Sequence, residues 1–236
     1  MSTRAAALLF AVLCSAAPAD ALPIDTFSTP QQLVLVPGLE IVSSLARADE
    51  ALGGRRELYS RDLIGISEQS ITVGDGSLTF FQAGSTSVSD EQAVVWSAPV
   101  TQTLDLTGAG TFDRFLINVV SLDQGGTIVI RVSDTKGGLA DWGVALTAGF
   151  SGELEVLFER PRSGSFRGID LTSVRSLRLV GLLANAGGTL VIDSFSLGPV
   201  AATEPGGGAL VALALALGAG AGVRRRRGAA GAGAAA

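Results

Sequence analysis

The chain has no histidine, and among its 236 residues the only cysteine is Cys14. Without imidazole there is no Ser-His-Asp or Cys-His nucleophile and no His-based general base. The same counts exclude zinc sites built from His and Cys, and intrachain disulfides. Charge is scarce too: Asp, Glu, Lys and Arg together make up 17%, against about 25% in an ordinary soluble domain. Flat aromatic platforms are limited to Tyr59, Trp96 and Trp142, apart from phenylalanines. Apolar residues fill the gap, at 47%, with 31 glycines, and the apolar excess sits at the two ends.

At the N-terminus, Arg4 is followed by the apolar run Ala5 to Cys14 and then by Ala19-Asp20-Ala21. One positive charge, a short apolar stretch and an A-x-A site are the three parts of a secretory signal peptide, with cleavage after Ala21. A run this short cannot span a hydrocarbon core, which takes about 20 helical residues. Cleavage removes the only thiol and leaves a mature chain suited to an oxidising compartment without disulfides.

At the other end, Thr203, Glu204 and Pro205 precede the uncharged stretch 206–223, which is followed by Arg224, Arg225, Arg226 and Arg227. An apolar helix backed by four arginines is a membrane segment with its basic side in the cytoplasm. Eighteen residues at 1.5 Å each span about 27 Å, a marginal crossing suited to a transient anchor. Residues 228–236 form a low-complexity Gly/Ala tail.

A Glu-Pro dipeptide, an apolar stretch and a closing Arg cluster, on a chain with a leader, resemble the PEP-CTERM sorting signal of Gram-negative bacteria. Thr203 stands where that family carries its first Pro, and nine residues follow the arginines. The resemblance implies recognition and cutting near Pro205 by an exosortase, an integral-membrane transpeptidase-like enzyme. It also implies a transient stay at the inner membrane facing the periplasm, then release to the cell surface or to an exopolysaccharide matrix.

Setting aside Arg4 and the four tail arginines, and Asp20 and Glu204, leaves residues 22–203 with 12 Lys/Arg against 20 Asp/Glu, a net charge of −8. An acidic body has no electrostatic footprint for nucleic acid. Its pattern is β throughout: short alternating or apolar runs at 33–36, 57–64, 69–73, 77–82, 92–97, 101–106, 114–120, 127–132, 143–148, 153–158, 176–180 and 189–197. Most are separated by Gly, Asp, Ser or Pro clusters that mark turns. Residues 43–52 are the strongest helical candidate. With many short strands and no βα alternation, the expected fold is all-β, a two-sheet antiparallel sandwich (jelly roll) over 22–200. A signal helix and a transmembrane-type helix at 201–227 flank it.

Two motifs echo. Ile24-Asp25-Thr26-Phe27-Ser28 is nearly repeated as Ile192-Asp193-Ser194-Phe195-Ser196, and Leu104-Asp105-Leu106-Thr107 as Ile169-Asp170-Leu171-Thr172. In the second pair, Asp and Thr can bond turn backbone, so shared turn chemistry explains it better than duplication. Asp25/Phe27, Gly53-Gly54-Arg55-Arg56 and the Ile192-Asp193-Ser194-Phe195 strand together resemble bacterial exported jelly-roll domains, similar to galactose-binding-type carbohydrate modules. That resemblance implies a structural calcium near Asp25 and Asp193.

Carboxylate pairs are the only acid/base chemistry left by the composition. Glu153 and Glu155 share a strand face and Asp90 adjoins Glu91, but an exposed polar face predicts the same spacing, and no enzyme is expected. Arg55-Arg56 reads as a structural ion pair with neighbouring acids. Of the two tryptophans, Trp96 closes an apolar run and belongs to the core. Trp142, among Gly and Ala, is the candidate sugar platform on a loop. The expectation is a non-enzymatic exported envelope protein, structural or adhesive, with exopolysaccharide as a partner. Its alternative is a carbohydrate-binding module with a pocket at Trp142.

Overall fold

Strict alternation builds the strands. In β6 (Ser77–Gln82), Leu78, Phe80 and Gln82 turn inward while Ser77, Thr79 and Phe81 lie on the other face. Its hairpin partner β5 (Gln69–Gly74) alternates the same way, closed by the Asp75-Gly76 turn with both residues at positive φ. The computed structural model describes residues 20–62, 67–83, 91–159, 168–184 and 187–200. Ala19, Thr203, Glu204, Pro205, Arg224, Arg225, Arg226 and Arg227 lie outside them, as do both expected terminal helices. Ala21 is described and exposed. Among the described residues, no helix is long and apolar enough to cross a membrane.

Two antiparallel sheets make the body. One contains, in order, β11 (Gly152–Leu157), β8 (Phe112–Leu122), β13 (Gly188–Pro199), β6, β5 and β2 (Gln31–Leu35), with β1 (Leu22–Asp25) added alongside β13. The other runs β10 (Leu139–Leu146), β9 (Gly126–Asp134), β12 (Val174–Leu183), β7 (Glu91–Ser97), β4 (Arg55–Arg61) and β3 (Ile41–Arg47). Written one beneath the other, the two orders place strands consecutive in sequence in every column. The chain therefore winds back and forth between the sheets, as a jelly roll does.

One apolar cluster joins the inner faces. It includes Ile24, Ile71, Phe80, Phe115 and Phe195 from the first sheet and Trp96, Ile130 and Leu179 from the second. Phe115 meets Trp142 edge-on at 5.6 Å and Phe158 at 4.8 Å. At Gly181 the sheets approach closely: a Cβ there would sit 3.0 Å from the Phe80 ring.

Three expectations need correcting. Residues 43–52 are not helical. Residues 41–47 form edge strand β3, paired from Ile41↔Arg61 to Arg47↔Arg55, and the rest is a turn ending in a short 3-10 segment, Leu52–Gly54. Pairing and the left-handed Gly53 and Gly54 override the helical preference of Leu45, Ala46 and Arg47. Residues 101–106 are not a strand; only Leu104 makes an isolated bridge, to Val174. β1, which pattern reading passes over, is real and pairs with β13 as Leu22↔Leu197 and Asp25↔Phe195. The echoed motifs thus lie against one another.

Candidate functional site

A buried ion pair fixes the strands beneath the site. Asp25 accepts from Arg56 Nη1 on both oxygens at 2.9 Å, from Trp96 Nε1 at 2.8 Å and from the Phe27 backbone N–H at 2.8 Å. Arg56 also donates to Gln31 Oε1 at 3.1 Å and to the Thr29 carbonyl. Both charged side chains are wholly buried. This arrangement does not fit calcium, because the Asp25 oxygens already accept four hydrogen bonds from three donors and a guanidinium occupies the cation's place. Asp193 is exposed, at a register shift in β13, and accepts from Asn118 Nδ2 at 2.9 and 3.0 Å. Both carboxylates named for calcium are thus engaged by protein donors. Among the described residues, no group of three acidic or thiol side chains could hold a metal.

The outer face of the six-stranded sheet carries the site. Register aligns Ser133, Ser176 and Ser97 side by side on β9, β12 and β7, with Ser133 Oγ 2.7 Å from Ser176 Oγ. The next row crosses all six strands as Asp141, Arg131, Arg178, Val95, Glu57 and Leu45. Over the serine row and the Arg178, Val95 and Glu57 part of the next lies an open groove of about 870 Å³, adjoined by a smaller hollow of about 170 Å³ toward Leu45 and Arg55. At about 4.8 Å per strand, the floor from β9 to β3 is about 19 Å long.

The two walls are built differently. On one side is the segment from Ala98 to Gln102, tied by Ala98 N–H to the Arg175 carbonyl at 3.1 Å and closed by Gln102 N–H to the Pro99 carbonyl at 2.8 Å. The other is the β9–β10 turn, organised by the Asp134 carboxylate. It accepts from the backbone N–H groups of Lys136 (2.8 Å), Gly138 (2.6 Å) and Asp170 (2.9 Å). The Asp170 N–H, above all, holds the Asp134 carboxyl below its ordinary value, against the opposing push of burial. Asp170 itself is lowered to about 2, chiefly by the Lys136 ammonium at 2.8 Å and then by the Thr172 hydroxyl at 2.6 Å. Asp105 makes the same turn: its Oδ1 accepts from the Thr107 N–H at 2.8 Å and the Thr107 hydroxyl at 2.7 Å. The echoed Asp-Leu-Thr motifs are therefore turn chemistry, and they pack together through Leu106 N–H to the Leu171 carbonyl at 2.9 Å.

Chemically, the groove offers hydroxyls, the Gln102 amide, the Glu57 carboxylate and the Arg175 and Arg178 guanidiniums. These groups are hydrogen-bond donors and acceptors of the kind that can pair with hydroxyl groups. Two-carboxylate hydrolysis needs a second free acid facing Glu57, and the Asp134 oxygens are committed to its own turn. Glu153 and Glu155 lie on β11 in the opposite sheet, with Glu155 3.0 Å from Arg114 Nη1. Asp90 lies outside the described residues.

Trp142 is not a loop platform. It sits on β10, 1% exposed, with its indole in the core and Nε1 without a hydrogen-bond partner. Its neighbours in sequence, Asp141 and Gly143, alternate to the outer face, which is why the Gly/Ala surroundings mislead. Trp96 is in the core as expected. The serine row is invisible in the sequence because its members come from strands dozens of residues apart. The only available signal is that each is an outward position in its strand.

No family model matches the chain, and no curated protein does either. Among solved structures, similarity extends to a family 11 carbohydrate-binding module from Clostridium thermocellum in complex with a β-1,3-1,4-mixed-linked tetrasaccharide. Identity is 13% and the TM-score 0.43, over 76% of this chain and 96% of that one. A family 30 carbohydrate-binding module of a cellulosomal cellulase from the same organism gives 12% and 0.41, over 78% and 99%. An agarase gives 15% and 0.45, over 78% of this chain and 25% of its own. Likeness at this level carries no statement about function.

Proposed function

We propose that residues 22–200 are a non-catalytic module that binds polysaccharide along the outer groove of the six-stranded sheet. The observation that carries this reading is the groove itself. It is long enough for several sugar units, has a row of three serines for a floor, and has a rim pinned by Asp134. The contact surface is the Ser133, Ser176 and Ser97 row with Arg178, Val95 and Glu57 of the row beside it, rather than Trp142.

The chain's address belongs to the same proposal. A leader ending at Ala21 exports the module. The segment 206–223, stopped by Arg224–Arg227, holds it at the inner membrane facing the periplasm. An exosortase-type enzyme then cuts near Pro205 and passes it to the cell surface or matrix, where contact with exopolysaccharide makes it structural or adhesive. The sequence resemblance at Thr203–Arg227 supports this part.

Glycan-array and affinity-electrophoresis measurements on the exported protein test the binding reading. Ser176→Trp, which fills the groove floor, abolishes retention, while Val120→Ser on the opposite sheet leaves it unchanged. Retention that survives a folded Ser176→Trp variant sinks the proposal.

A further inference from the structure

Beyond the serine row, the same face holds three guanidiniums around one carboxylate. Arg61 pairs across strands with Glu91, and Arg131 lies directly opposite Arg178. Like charges in directly opposed positions destabilise a sheet. The three reach Glu91 at 3.6, 3.7 and 3.6 Å (Arg61, Arg131 and Arg178 respectively). None of these contacts is a hydrogen bond, and the buried Glu91 Oε1 and Arg61 Nε have no hydrogen-bond partner. Asp141 takes the Nε and Nη2 edge of Arg131 at 3.0 and 3.4 Å. Arg178 rests over the Tyr59 ring at 5.9 Å. Beneath lies a small apolar strip of Ala93, Val95, Val129 and Val180.

This geometry is poor as a purely internal ion network. Three guanidiniums with five N–H donors each face two carboxylates, and only Asp141 is engaged at hydrogen-bond distance. Planar N–H forks left part-exposed, at 34–38% for the three arginine side chains, are the side-chain chemistry that recognises carboxylate and sulfate groups bidentately. The cluster adjoins the groove, since Arg178 lines both. The body's overall acidity does not oppose this at short range, because at physiological salt charges are screened beyond about 8 Å.

We propose that Arg61, Arg131 and Arg178 form an anion-reading end of the groove, and that the polysaccharide it takes is acidic, bearing carboxylate or sulfate groups on its sugars. The inference rests on the groove being a glycan site and specifies which glycans. Arg178 serves both the sugar hydroxyls and the anion, while Arg61 and Arg131 serve the anion alone.

The test measures binding of the full exported protein to four polymers: polygalacturonate, a sulfated galactan, agarose and a neutral mixed-linkage β-glucan. An acidic polymer binds at least about tenfold more tightly than its neutral counterpart, as one or more charge-assisted hydrogen bonds supply. Arg131→Gln and Arg61→Gln each remove about tenfold from the acidic polymer only. Which acidic polymer is preferred distinguishes carboxylate from sulfate. Equal binding of acidic and neutral polymers overturns the inference and leaves the groove reading standing; binding of none overturns both. Should either glutamine variant fail to fold, raising salt from about 0.05 to about 0.5 M on the wild type decides: acidic-polymer affinity falls with salt and neutral-polymer affinity does not. A salt-independent acidic affinity overturns the inference.

Discussion

The guanidinium of Arg56 reaches Asp25 across thirty-one positions of sequence and holds both carboxylate oxygens at 2.9 Å, with neither side chain exposed. This pair ties β1 to β4 and so links the two sheets at one end of the core. Breaking a buried pair by removing one charge leaves the other uncompensated. Asp25→Asn therefore destabilises by about 3–5 kcal/mol, measured by urea unfolding, whereas removing the exposed Arg47–Asp49 pair by Arg47→Ala leaves the unfolding midpoint close to that of the wild type. Equal effects from the two variants would contradict the assignment.

Acid sensitivity follows from the groove rim. Asp134 and Asp170 are both held below their unfolded values, near 4. Their stabilisation is therefore complete above that pH and is lost as pH falls, for Asp170 through about 2. The melting temperature of the wild type drops between about pH 5 and about pH 2. Asp134→Asn starts lower and falls less steeply. A variant with the wild-type slope shows that the carboxylate does not carry this linkage.

A Cβ at Gly181 would meet the Phe80 ring of the facing sheet at 3.0 Å, so even a methyl group there requires the ring to shift by a few tenths of an ångström. Gly181→Val forces the sheets apart and costs about 1–3 kcal/mol or more, read as a fall in melting temperature. Pairing it with Phe80→Leu recovers part of the loss if the clash is the cause.

Trp142 separates stability from binding. Trp142→Ala opens a core cavity worth about 3–5 kcal/mol, while Trp142→Phe keeps most of the packing and removes an indole N–H that has no partner. Glycan retention by the folded Trp142→Phe protein equals that of the wild type. Selective loss of retention returns the sugar site to the indole.

Intact mass checks the address. Protein recovered from cells with an active sorting enzyme lacks residues 1–21 and the segment beyond about Pro205. Material from cells without that enzyme keeps the C-terminal segment.

How much of this was legible in the sequence depends on where each signal lives. β5 and β6 read directly from alternation, because Ile71, Val73, Leu78 and Phe80 all turn inward. The Asp105 and Asp170 turns were equally plain, since a carboxylate bonding its own backbone two residues on is a local event. β3 was misread because a half-exposed edge strand of Ser, Leu, Ala and Arg has no β signature of its own, and only pairing with β4 makes it one. β4 hides its polarity inward at Arg56 and Ser60, so the residue that organises the core looks like surface. The groove was beyond reach for a different reason. Ser97, Ser133 and Ser176 become neighbours only once sheet order is known, and sheet order is a property of long-range pairing. Trp142 failed on a boundary: the strand was expected from 143, but β10 begins at Leu139, so the residue falls inside the strand at an inward position.

The pairing of Leu22 with Leu197 has a kinetic corollary. The opening strand of the body has no hydrogen-bonded partner until its closing strand exists, almost the whole length of the domain later. Such long-range pairing is slow to nucleate. A polypeptide threaded through a translocation pore from its N-terminus keeps that first strand waiting until nearly everything behind it has emerged. On the export proposed above, this topology suits passage in an unfolded, transport-competent state, with the final zippering reserved for the far side.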